Sequence, residues 1–230
     1  METPSKNHLG LAVIVAGLFF LEPAGAAATP EPLLKLNLSV SNYAHVDSAE
    51  LVAAEGQVTR IYANTGVSIV WIDDPSFSEN TDKDLPCRRR ADFDLRILRR
   101  AGTLGSNRKA LGLAPEFGGS YQWAYVFYDR IEGLFAQQVS KAVERNVSRW
   151  ATPAQVLACV MAHEVGHLLG LGHFPTGIMS ADWSATELLD ASYEILLFSR
   201  QQAEVIRTKV RTRRQEVSES CTAFPSAEPL

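Results

Sequence analysis

The sequence predicts an α/β protein with a mostly parallel sheet, and three observations carry that prediction. Alternating or dense apolar segments recur through the first 131 positions. A capped helix separates the first two of them, so consecutive strands can run in the same direction. From residue 150 onward, helix signals dominate.

The first strand is LLKLNLSVSNYA, 33–44, where Leu34, Leu36, Leu38 and Val40 alternate with more polar neighbours. Asp47 and Glu50 then stand at capping-box spacing, and Leu51, Val58, Ile61 and Tyr62 mark the apolar face of a helix. Asn64-Thr65-Gly66 ends it. VSIVWI, 67–72, is dense in β-branched residues and predicts a buried strand. Asp73 to Pro86 is polar and turn-rich, a loop, and ADFDLRIL, 91–98, is a third strand. After a loop at Gly102 to Lys109, the stretch Lys109 to Ala114 predicts a short edge strand, cut off by Pro115. Gly118-Gly119 makes a turn, and the aromatics and β-branched residues of WAYVFYDRI, 123–131, predict another strand.

Three capping boxes mark the helical half. Thr152 to Gln155, with proline at the first helical position, opens a helix from Pro153 to Leu169 that stops at Gly170. Ser184 to Glu187 opens a second helix through about Phe198, and Ser199 to Gln202 a third through about Arg214. The tail from Ser218 is expected to be disordered. Arg207, Lys209, Arg211, Arg213 and Arg214 read as a solvated helix face because the whole chain is acidic, and Arg88-Arg89-Arg90 reads likewise.

A chain of 230 residues suffices for one domain with a full core. Its formal net charge of −4 gives no general attraction to nucleic acid. Lys6 precedes a 13-residue apolar run, Leu9 to Leu21, followed by small residues in AGAAAT. That pattern is a secretory signal, too short for the roughly 20 residues of a membrane span. The expected organisation is a signal peptide at 1–28, a single catalytic domain at 29–217 and a tail at 218–230. The mature chain is then exported, extracellular or periplasmic, with no membrane span. Three cysteines, Cys87, Cys159 and Cys221, are an odd number, so at least one thiol stays unpaired within the chain, and the pairing is open.

The chemistry concentrates in HEVGHLLGLGH, 163–173. His163 and His167 are four residues apart on a predicted helix, so they project from one face, one turn apart. Two imidazoles so placed can both bind one metal. Glu164 lies beside them, placed to act as a general base on water activated there without being a ligand. Gly170 lets the chain leave the helix and Gly172 allows a second tight conformation, which returns His173 as a third ligand. Three histidines with an open fourth position describe a catalytic zinc site rather than a structural one. The chain has five histidines. His8 falls in the signal, and His45 stands alone and reads as a surface residue.

The full HExxHxxGxxH string resembles the signature of the metzincin clan of zinc peptidases. Met179, six residues after His173 in PTGIMS, resembles the methionine of the clan's Met-turn. Within the clan, Gly166 and Leu169-Gly170-Leu171 resemble the matrixin form, as do ADFDLRI at 91–97 and LGLAP at 111–115. Phe174-Pro175 departs from that form, which usually has serine after the third histidine. The resemblance implies a twisted five-stranded sheet with one antiparallel edge strand, an active-site helix, a Met-turn and C-terminal helices. It also implies one catalytic Zn²⁺ on His163, His167 and His173, with Glu164 as base. A protein or peptide substrate would lie along Leu111, Gly112, Leu113 and Ala114. The expected activity is that of a secreted zinc endopeptidase. Two alternatives stand beside it: a non-catalytic zinc-containing binding protein on the same fold, and a zinc hydrolase with a non-protein substrate.

Overall fold

The structure, a computed structural model, describes residues 34–72, 91–103, 109–114, 123–145 and 149–222. The expected signal segment, the loop from Asp73, Arg88-Arg89-Arg90, Cys87 and the Gly118-Gly119 turn lie outside them. Five strands form one sheet: β1 (Leu34–Asn42), β2 (Val67–Trp71), β3 (Phe93–Leu98), β4 (Gly112–Leu113) and β5 (Trp123–Phe127). Their spatial order is β2-β1-β3-β5-β4. β1, β2, β3 and β5 run parallel, and β4 is the antiparallel edge. This is the mixed α/β architecture that the sequence predicts.

Helix α1 (Ser48–Ala63) connects β1 to β2. Its N-cap is Asp47, whose carboxylate accepts the N–H groups of Ala49 and Glu50 at 2.9 and 3.3 Å. Gly66, at φ +82°, turns the chain into β2. α1 buries Ala54, Gln57, Val58, Ile61 and Tyr62. The Tyr62 hydroxyl donates to Ala162 O at 3.0 Å. That bond ties α1 to α3 (Pro153–Leu168), the helix bearing the histidines.

β2 is not buried on both faces as its composition suggests. It is an edge strand in which Val67 and Ile69 are buried while Ser68, Val70 and Trp71 are half-buried. The strand expected at 123–131 is also shorter. It ends at Phe127, and helix α2 (Tyr128–Arg145) begins at once. Ile131, Leu134, Phe135 and Val139 have the i, i+3, i+4 spacing of a helical face, which the aromatic run before them obscures.

Two further boundaries differ from expectation. α4 (Ala185–Ser192) stops well short of Phe198. The Ser192 carbonyl accepts Nε and Nη2 of Arg149 at 3.1 and 2.8 Å. Glu194 then takes φ +60°, and the chain continues outside any helix or strand, with Leu196 and Phe198 in the core. α5 (Arg200–Thr222) opens at the Ser199 capping box, with Gln202 N–H donating to Ser199 Oγ at 3.2 Å. It runs past Arg214 and through the start of the expected disordered tail.

The basic residues of α5 are not simply a solvated face. Arg207 donates to Thr65 O at 2.8 Å. Arg213 donates to Asp92 O at 2.7 Å and lies over the Phe93 ring at 4.5 Å. Arg214 donates to Lys35 O at 2.8 Å. These bonds dock α5 against β1, the α1–β2 turn and the start of β3. Cys159 is a free thiol, fully buried. Among the described residues no helix is long and apolar enough to cross a membrane.

Candidate metal centre

α3 begins at a complete capping box between Thr152 and Gln155. Every residue from Val156 to Gly166 is buried, so this is a central helix, apolar nearly all round. Its end is a Schellman motif: Leu171 N–H reaches Gly166 O at 3.0 Å, and Gly170 N–H reaches His167 O at 2.8 Å. Gly170 supplies the left-handed residue, at φ +86°. The turn reverses the chain and returns His173 to the helix face.

The three imidazoles meet there. His167 Nε2 lies 2.9 Å from His163 Nε2 and 3.2 Å from His173 Nε2. The far nitrogens of the two helical rings are fixed. His163 Nδ1 is 2.7 Å from Ile178 O, and His167 Nδ1 is 2.8 Å from Leu171 O. A carbonyl only accepts, so each Nδ1 carries the proton and each Nε2 presents a lone pair.

The ligand atoms of the three histidines all lie within 4.8 Å of one another. Neutral nitrogens so close, at least two of them without a proton, do not satisfy each other; a shared cation does. Tetrahedral ligands about 2.0–2.1 Å from zinc stand about 3.3 Å apart, close to the spacing here. The donor set therefore fits a zinc ion, and the two backbone carbonyls serve as the outer partners that metal-bound histidines characteristically have.

The environment supports the neutral ligand form. His163 is 8% exposed, and burial pushes its pKa down to about 4. The neighbouring imidazoles push the same way, against the bond to Ile178 O. Glu164 is 4% exposed, and burial raises its carboxyl to about 8, against the pull of the Ala114 N–H that it accepts. Its Oε2 is buried and has no hydrogen-bond partner among the described residues. A cation at the adjacent nitrogens favours the ionised form of such a group.

Met179 is fully buried in the turn that carries Ile178. Phe174 N–H closes that turn on Met179 O at 2.8 Å, and Gly177 at φ +81° permits it. Met179 packs on Gly166 of α3, where a Cβ would stand 2.8 Å from the sulfur.

A cleft of about 930 Å³ opens over the histidines. Leu111, Gly112, Leu113 and Ala114 run along it, with Gly112 against Glu164; a Cβ there would come 2.7 Å from the carboxyl carbon. His45 is exposed in the turn after β1, at φ +55°, and belongs to no such cluster among the described residues. Several cleft residues escape the sequence reading, Gly133 and Gln137 of α2 among them. Arg130 and Leu134 come from α2, hidden with that helix, and Trp183 packs edge-on to His163 at 6.3 Å.

No family model matches the chain, and no curated protein does. Among solved structures, an archaemetzincin from Methanopyrus kandleri is similar at 17% identity, covering 80% of this chain and 99% of that one, with a TM-score of 0.46. So distant a likeness assigns no activity, which has to come from the site itself.

Proposed function

We infer that the chain is an exported zinc metalloendopeptidase of metzincin type, and matrixin-like in the form of its helix. One observation carries this reading: three histidine Nε2 atoms converge beside a buried carboxylate with an unpartnered oxygen, on the floor of a cleft bordered by an open strand edge. His163, His167 and His173 would hold the zinc. Bound zinc acidifies water and polarises a carbonyl. The remaining work belongs to the chain.

Glu164 takes a proton on its unpartnered Oε2 and returns it to the leaving amine. The hydrogen bond that its other oxygen accepts from Ala114 N–H fixes the carboxylate to the strand that borders the cleft. Ile178 O and Leu171 O hold two rings in the tautomer that presents Nε2. An edge strand offers backbone donors and acceptors to an extended peptide, a mode that suits internal bonds of flexible chains. Export rests on the 1–28 segment, and the substrate is a protein or peptide.

The test is digestion of an unfolded protein by the zinc-loaded mature chain, with fragments read by mass spectrometry. Internal cleavage abolished by a chelator and restored by zinc supports the reading. One bound zinc per chain with no cleavage of any unfolded substrate contradicts it and favours a zinc-containing binding protein.

A further inference from the structure

β4 contributes only Gly112 and Leu113 to the sheet. Its pairs Gly112↔Val126 and Leu113↔Tyr125, with the Phe127 N–H to Leu111 O bond of 2.8 Å, set its phase. In an antiparallel ladder, successive residues turn their backbone groups alternately toward the partner and away from it. Leu111 and Leu113 turn theirs toward β5, so Ala110, Gly112 and Ala114 turn theirs outward.

Two of those outward groups are already engaged. Ala114 N–H serves Glu164. The Ala110 carbonyl accepts Nη1 of Arg130, in the first turn of α2. The guanidinium also lies over the Phe127 ring, 4.8 Å from its centroid, and lines the cleft. Among the described residues, what remains outward in the middle of the strand is the N–H and C=O of Gly112, beside Glu164.

We propose that Arg130 is a positioning residue that sets the register of a bound peptide. By engaging Ala110 O it confines strand pairing to Gly112, opposite Glu164. By bridging α2 to β4 it steadies a strand too short to hold itself. The bond is charge-assisted, and stacking on Phe127 aims the guanidinium. Lysine can reach the same carbonyl but lacks the planar stack. With the carbonyl freed, a peptide can pair two residues further along while keeping the same side-chain face. The proposal rests on the peptidase reading.

The experiment compares wild type, Arg130→Ala and Arg130→Lys, all zinc-loaded, on one extended peptide. In Arg130→Ala, KM is expected to rise about tenfold while kcat stays within about twofold, the size of effect that fits one lost charge-assisted bond. A second product, cut two residues from the first, should appear. Arg130→Lys should recover part of the KM and most of the single-site cleavage. Unchanged KM and products in Arg130→Ala overturn the proposal. So does a loss of zinc or folding with products unchanged, which makes the residue merely structural. If wild type cleaves nothing, the peptidase reading falls on its own. Amide exchange at Leu113 and Phe127, two amides of the β4–β5 ladder, then decides whether Arg130 holds the strand: about tenfold faster in Arg130→Ala if it does, unchanged if it does not.

Discussion

Gly166→Ala should loosen the metal centre without touching a ligand. An added Cβ would stand 2.8 Å from Met179 Sδ, 3.3 Å from its Cε and 3.4 Å from Phe198 Cε1. Ordinary contact requires about 3.5–4.0 Å, so the Met179 thioether must retreat by about 1 Å, and its turn is displaced with it where the side chain cannot move alone. Met179 is fully buried and Phe198 is 9% exposed, so neither has open space to move into. Overpacking of this kind costs about 1–3 kcal/mol. Alanine returns about 1 kcal/mol of helix propensity, leaving a net loss of about 0–2 kcal/mol. The larger effect falls on zinc. Ile178, the residue before Met179, holds His163 Nδ1 at 2.7 Å, and a shift of about 1 Å breaks a bond of that length. Loss of such an outer partner weakens metal affinity by about 10–100-fold. Competition with a chromophoric chelator measures the affinity, and urea unfolding measures stability. Gly56→Ala is the control, because a Cβ there meets nothing within 4 Å. It should gain up to about 1 kcal/mol and leave zinc binding unchanged. Wild-type affinity in Gly166→Ala, with stability at or above wild type, would mean that the Met179 turn does not hold the metal centre in place.

Two other perturbations probe the frame around the site. Tyr62→Phe removes the hydroxyl that donates to Ala162 O and should cost about 1 kcal/mol in urea unfolding, with the Tyr62–Phe198 ring contact at 5.2 Å retained. No change in stability would mean that the α1–α3 bond is not formed. Burial pushes the Cys159 thiol up to about 12, with Glu194 adding to it. Iodoacetamide at pH 8.5 should therefore leave Cys159 unlabelled in the native chain and label it in urea, as peptide mapping shows. The folded pKa is the raised one, so the unfolded chain loses its proton first. The contribution of Cys159 to stability is full below about pH 9 and lost as pH rises toward 12. Rapid native labelling at pH 8.5 would contradict the burial.

The parts legible in sequence are those whose chemistry or chain conformation is written locally. α3 announces itself by Thr152, Pro153 and Gln155 at one end and Gly170 at the other, and its histidines need only the helical repeat to meet. α2 was hidden because Trp123, Tyr125, Val126 and Phe127 lead without a break into Tyr128, and their β propensity masks the helical spacing of Ile131 and Leu134. The end of α4 carries no glycine; Glu194 takes the left-handed conformation there, and the Arg149 guanidinium takes the last carbonyl. The docking of α5 was illegible for a different reason. Arg207, Arg213 and Arg214 find backbone carbonyls, Thr65 O, Asp92 O and Lys35 O, which no residue pattern displays. Arg130 on Ala110 O belongs to the same class.

The most direct test of the central claim is Glu164→Gln, measured for zinc content and for turnover in the same preparation. The glutamine fills the same space and still accepts the Ala114 N–H, but it cannot take a proton. One zinc per chain, as in wild type, is expected, with peptide cleavage reduced by about 10²–10⁴-fold, the usual weight of a general base. Turnover near that of wild type with zinc in place would remove Glu164 from the reaction and contradict the account.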